Sequence, residues 1–151
     1  GITSSWNSED AVHWTKRADS LPFGAIRNQR IIVFKKKLLL LSHHLWESED
    51  GIEWKKIRTT ATPSFKQCTP VLYNNLLWVF GAGSSQEGLV KIMVSPDATK
   101  WDTMDAPWVE RSSPALCVFR GKIFMGGGNH PVNSGKSSRD SLLNDIWQME
   151  Q

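Results

Sequence analysis

"WESEDGIEW", residues 46–54, places two tryptophans eight positions apart around Ser48-Glu49-Asp50. The same frame stands at "WNSEDAVHW" (6–14) and, with methionine in the first slot, at "MVSPDATKW" (93–101). Trp147 is a fourth first member, and the offsets between first members are 40, 47 and 54 residues. Ser and Asp at these positions suit a tight turn, because their short side-chain oxygens accept bonds from nearby backbone amides. Each frame therefore predicts two short strands joined by a turn.

A second pattern runs in step with the first. Phe34, Tyr73 and Phe119 each close an apolar run and precede a polar turn: Lys35-Lys36-Lys37, Asn74-Asn75 and Arg120-Gly121-Lys122. A second apolar run follows each turn (38–41, 76–80 and 123–125) and ends in Ser42-His43, Gly81-Ala82 or Gly127-Gly128. These offsets, 39 and 46 residues, track the tryptophan offsets, so both patterns belong to one repeating unit. The unit reads as four antiparallel strands, a to d. Strand a ends at the aromatic, strand b follows a hairpin turn, strand c carries the first Trp or Met, and strand d begins at the second Trp. No stretch shows capped helical periodicity, and Pro22, Pro63, Pro70, Pro107 and Pro114 are spread through the links.

Strand b decides between architectures. Leu38-Leu39-Leu40-Leu41 and Leu76-Leu77-Trp78-Val79-Phe80 do not alternate with polar residues, so both faces must be covered. A two-sheet sandwich holds such strands, but an in-register repeat favours sheets stacked around an axis. The expectation is an all-β chain, a β-propeller of four-stranded blades with about three blades per chain, a half-propeller. Its blade-like units span approximately 1–17, 29–58, 67–104 and 113–151 of a single domain.

Composition is consistent with this. The chain has 151 residues, 40% apolar and 22% charged, enough to bury a core. The longest aliphatic run, 38–41, is far short of a membrane span, and no charged-apolar-small leader opens the sequence. The net charge of +3 splits into +4 over residues 1–75 and −1 over 76–151. That balance shows no dense basic face, so neither nucleic acid nor membrane is expected as a partner. Lys35-Lys36-Lys37 reads as a solvated turn. Cys68 and Cys117 are too few for a disulfide framework and are expected as buried, reduced thiols.

The repeat resembles the kelch-type β-propeller, including the central propeller of galactose-oxidase-like proteins. "ALCVFRGKIFMGGG" (115–128) and "LLNDIWQM" (142–149) carry the likeness through the glycine doublet and the Asn-Asp-Ile-Trp entry to strand c. "SEDGIEW" (48–54) also looks like the Asp-box turn of sialidase-type propellers, one residue short. The resemblance implies rings of about six or seven blades. Three blades do not close a ring, so the expectation is a homodimer completing a six-bladed ring; the alternative is a piece of a longer propeller.

No catalytic constellation stands out, and no cofactor is expected. Galactose-oxidase chemistry needs tyrosine ligands, and the only tyrosine, Tyr73, fills the strand-a slot. "GGGNHPVNSGKSS" (126–138) fails the phosphate-loop pattern, because His130 stands where the first glycine belongs. His43-His44 and His130 fall in b–c loops; adjacent histidines on an extended segment diverge and chelate poorly. His13 lies in a c–d turn. The segment 129–141 reads instead as a long polar loop with Asn129, His130, Asn133, Lys136 and Arg139 as candidate ligand-binding residues. The d–a links open on the same face and add Phe65, Lys66, Trp108, Glu110 and Arg111; Trp108 lies outside the repeat slots. The expected function is a non-enzymatic recognition module for a protein or glycan, with a sialidase- or oxidase-like glycan-processing enzyme as the alternative.

Overall fold

A computed structural model describes residues 3–24, 29–59, 65, 67–82, 91–134 and 137–150. Among them there are strands and no helix. The first sheet holds β1 (Ser5–Asn7) and β2 (Thr15–Ala18), the strands c and d of the first unit. The second is four-stranded, in the order β3 (Arg30–Phe34), β4 (Lys37–Leu41), β5 (Leu45–Ser48) and β6 (Lys55–Ile57). The third repeats it with β7 (Thr69–Tyr73), β8 (Leu76–Ala82), β9 (Lys91–Ser95) and β10 (Asp102–Asp105). The fourth pairs β11 (Ala115–Phe119), β12 (Lys122–Gly126) and β15 (Ile146–Met149). Neighbouring strands are antiparallel throughout, so each sheet is a meander from a outward. The fold is all-β and propeller-type, as the repeat predicts.

Two side-chain devices set the turns. Each a–b turn is a two-residue link whose central residues both have positive φ: Lys35 and Lys36 (50° and 65°), Asn74 and Asn75 (50° and 59°), Arg120 and Gly121 (50° and 71°). Positive φ at both positions marks the type I′ hairpin turn, whose twist matches the strands it joins. The c–d turns are three copies of one hydrogen-bond pattern. Asp50 Oδ1 accepts from the amides of Ile52 and Glu53 at 2.8 and 2.9 Å, while Ser48 Oγ accepts from Asp50 and Gly51 at 3.3 and 2.8 Å. Asp10 with Val12 and His13, and Asp97 with Thr99 and Lys100, reproduce the aspartate contacts. These amide bonds hold the Asp50 carboxyl below its ordinary range and bring Asp97 down to about 2.

The core lies between sheets. One cluster joins Phe34, Leu39, Leu41 and Leu45 of the second sheet to Leu77, Val79 and Met93 of the third. The next joins Tyr73, Trp78, Phe80 and Ile92 of the third to Ile123 and Met125 of the fourth. Strand β8 is thus covered on both faces, and β4 buries Leu39, Leu40 and Leu41 in succession, as their unbroken apolar runs require. Burying each such side chain stabilises the fold by about 1.5–3 kcal/mol.

The sequence expectations need correction at three places. Residues 129–142 are not a loop. They form a two-stranded ribbon, β13 (Asn129–Ser134) with β14 (Ser137–Leu142), inserted between strands b and c of the fourth sheet. Cys68 is buried, and desolvation pushes its thiol up to about 12, but Cys117 is exposed. The side of β11 that bears Cys117 has no sheet of the described residues against it. Trp108, finally, belongs to a repeating slot of its own. It stacks on Phe80 with centroids 6.2 Å apart and meets Trp147 at 5.4 Å. Phe65 meets Trp101 at 5.2 Å in the same way, and Phe23 meets both Trp46 and Trp54, at 5.8 and 5.4 Å. Each d–a link sends one aromatic onto an indole of the sheet it enters.

Candidate functional site

Antiparallel meanders put the b–c and d–a connections at one end of the sheets and the a–b and c–d turns at the other. The first end holds the candidate residues. There the d–a link of residues 106–114 runs beneath the ribbon and is tied to it. The Ser112 amide donates to the Asn129 carbonyl at 2.8 Å, and the Asn129 amide donates back at 3.0 Å. His130 Nδ1 donates to the Glu110 carbonyl at 2.7 Å. At the ribbon's base the Leu143 amide donates to the Gly128 carbonyl at 3.0 Å, so the two ends of the insertion meet. Close packing explains the glycines: a Cβ on Gly128 (φ 103°) would stand 2.9 Å from the Ser112 carbonyl oxygen. Gly81 (φ 77°) faces the Arg111 carbonyl just as closely, at 3.0 Å.

Arg111 anchors this end. Its guanidinium donates to both oxygens of Asp145, from Nη1 to Oδ1 at 2.7 Å and from Nη2 to Oδ2 at 2.8 Å. Nη1 also donates to the Gly127 carbonyl at 3.0 Å, and Trp147 Nε1 donates to Asp145 Oδ2 at 2.6 Å. The arginine and the indole together hold the Asp145 carboxyl far below its usual range. Arg111 is 2% exposed, so it acts as an internal strut and presents no donor to solvent.

The other candidates separate by position. Phe65 is buried in the core between the second and third sheets. Trp108 is half-buried under Phe80 and Trp147. Glu110, Asn129 and His130 come together where the link meets the ribbon. Asn133 and Arg139 lie in β13 and β14, paired in register with Ser138 and Val132. Lys66 and Lys136 lie outside the described residues. His43 and His44 are exposed in the b–c connection of the second sheet, where Ser42 Oγ donates to the His44 carbonyl at 2.9 Å. Among the described residues, no three His, Cys, Asp or Glu side chains converge as metal ligands.

Sequence reasoning read Asp145 only as part of the Asn-Asp-Ile-Trp entry to strand c, without its pairing to Arg111, and missed Phe23. Asp145 is legible only through its partner, 34 positions away. Phe23 had a signal, because Phe23, Phe65 and Trp108 are spaced by 42 and 43 residues, in step with the repeat.

No protein-family model matches the chain, and no curated protein matches it in sequence. Solved structures do. The Bombyx mori GH32 beta-fructofuranosidase BmSUC1 is similar with a TM-score of 0.56 at 14% identity, over 99% of this chain and 39% of that one. A mutant of that enzyme in complex with sucrose is similar with a TM-score of 0.53 at 13% identity, over the same shares. The likeness is one of fold. This chain spans about two fifths of the length of those enzymes.

Proposed function

We propose that the chain is a recognition module built on kelch-type sheets, with the β13–β14 ribbon and the d–a link beneath it as the ligand-binding surface. The observation that carries this reading is the mounting of the ribbon. A polar insertion is fixed to a buried strut through Ser112, Asn129 and His130. A backbone tied down at its base by these bonds loses less freedom on binding, which favours affinity. The Gly127-Gly128 doublet supports the kelch assignment, since both residues have positive φ beside the link.

The ribbon is removable in principle, because Gly128 and Leu143 already touch. Joining 128 to 143 through one glycine and probing a printed glycan array and immobilised peptides with both chains tests the reading. Ligands retained by the parent and lost by the shortened chain support it. Equal retention by both chains overturns it.

A glycan-processing activity is the second reading, favoured by the likeness to enzymes that are beta-fructofuranosidases. Incubation with sucrose and detection of free fructose tests it. Release proportional to the protein added, and abolished by boiling, supports it; no release removes it.

Self-association belongs to the same proposal. Cys117, Phe119, Phe124 and Ile146 line an open apolar groove on the fourth sheet. Their repeat equivalents, Ile32, Phe34, Leu39 and Leu45 in the second sheet and Val71, Tyr73, Trp78 and Ile92 in the third, are packed under the next sheet. The occupant that fits is therefore another sheet of this repeat. A second copy offers one on its second sheet, where Ile31 and Val33 are exposed.

A further inference from the structure

The opposite end of the sheets carries a conformational cost that packing does not explain. Positive φ at both centres of an a–b turn suits Asn and Gly. Asn74-Asn75 meets that demand with a favoured type; Lys35, Lys36 and Arg120 do not, at φ of 50°, 65° and 50°. All three side chains are exposed. The adjoining strand cations are neutralised, Lys37 by Glu47 and Glu49 and Lys122 by Glu150. Among the described residues, no carboxylate pairs with Lys35, Lys36 or Arg120. Strain held at exposed cations that no described carboxylate neutralises points from geometry to use.

The turns are neighbours. Tyr73 Oη donates to the Gly121 carbonyl at 2.6 Å, drawing the third and fourth sheets together there. Between the second and third sheets, Phe34, Lys35, Leu72, Tyr73, Asn74 and Asn75 line an open groove. It has a cation on one wall, amides on the other and exposed apolar surface at Leu72.

We propose that this end binds an acidic glycan, a sugar chain bearing sulfate or carboxylate groups. Lys35, Lys36 and Arg120 take the anionic groups, Asn75 the hydroxyls, and Leu72 the apolar edge of a ring. Nucleic acid fits less well. The Lys35 ammonium lies 5.6 Å from the Phe34 ring centre, and the Arg120 guanidinium 5.1 Å from that of Phe119. Phe34 is buried and Phe119 carries Arg120 on one side, so among the described residues this end has no row of free aromatic rings on which successive bases stack.

The test uses titrations of the full chain with a heparin-derived oligosaccharide, oligogalacturonate, a neutral glucan and single-stranded DNA of matched charge, at about 50 mM salt. The decisive variant is Lys35→Asn with Lys36→Gly. It relieves the turn, so its melting temperature stays equal or rises, and lost binding is then not lost folding. The expected result is binding to at least one acidic glycan, weakened at least tenfold in the double variant, weakened further by Arg120→Asn, and weakened by salt. No acidic glycan bound, unchanged affinity in the double variant, or tighter binding to DNA than to both acidic glycans overturns the proposal.

Discussion

Phe34 and Phe119 occupy the same slot of the repeat, each closing strand a before a type I′ turn, yet Phe34 is 5% exposed and Phe119 is 56% exposed. The difference lies in what stands beside each ring. Phe34 packs into the core shared by the second and third sheets, whereas Phe119 looks out from the fourth. Urea denaturation of the two alanine variants reads this directly. Phe34→Ala should cost about 3–4 kcal/mol, the range for a large side chain removed from a packed core. In the isolated chain Phe119→Ala should cost less than about 1 kcal/mol.

The a–b turns make a second prediction of opposite sign. Lys36 sits at φ 65°, where a side chain costs about 1 kcal/mol that glycine avoids. Lys36→Gly should therefore raise stability by about that amount and the melting temperature by about 2–4 °C. Asn75→Gly should gain less, because asparagine tolerates this region. Scanning calorimetry of the two variants checks the order.

The Arg111–Asp145 pair should respond asymmetrically. The arginine side chain is 0% exposed and the aspartate 37%. Asp145→Asn strands a buried guanidinium and should cost about 3–5 kcal/mol. Arg111→Met leaves a carboxylate that water reaches, so its cost should be smaller, about 1–3 kcal/mol from the carbonyls of Gly127 and Val109 losing their donor. Chemical denaturation that ranks Arg111→Met as the more damaging change contradicts this account of the strut.

Acid should loosen the c–d turns. The Asp97 carboxyl is held at about 2 by the amides of Lys100 and Thr99. A folded value below the unfolded one means that its stabilisation is complete above about pH 4 and fades as pH falls toward 2. Melting temperatures between pH 5 and pH 2 should fall for the parent chain and fall less steeply for Asp97→Asn, which has no proton to gain there.

Much of the fold was legible because the repeat constrains it at several levels at once. Trp46 and Trp54 mark where strand c runs and strand d begins, and Ser48 and Asp50 supply the oxygens that shape the turn between them. The unbroken apolar runs of β4 and β8 announce strands buried between stacked sheets, fully so for β8. The ribbon was not legible because Ser137, Ser138 and Ser141 have no apolar alternation; backbone pairing with β13, fixed at its base by Ser112, orders it instead. Arg111 reads in sequence as an exposed partner of Trp108. Only the return of Asp145 from 34 residues on shows that the charge is buried and matched. Local periodicity reports strands well, whereas a contact between distant links leaves no periodic trace.

The central claim is that each sheet's apolar side is covered by another sheet of the same repeat, in the last case by one from a second copy. Light scattering of the purified chain at micromolar concentration, beside Phe119→Asp, tests it most directly. The account predicts the mass of two chains for the parent and of one for the variant. A parent chain that runs as a single copy with Phe119 still exposed contradicts it.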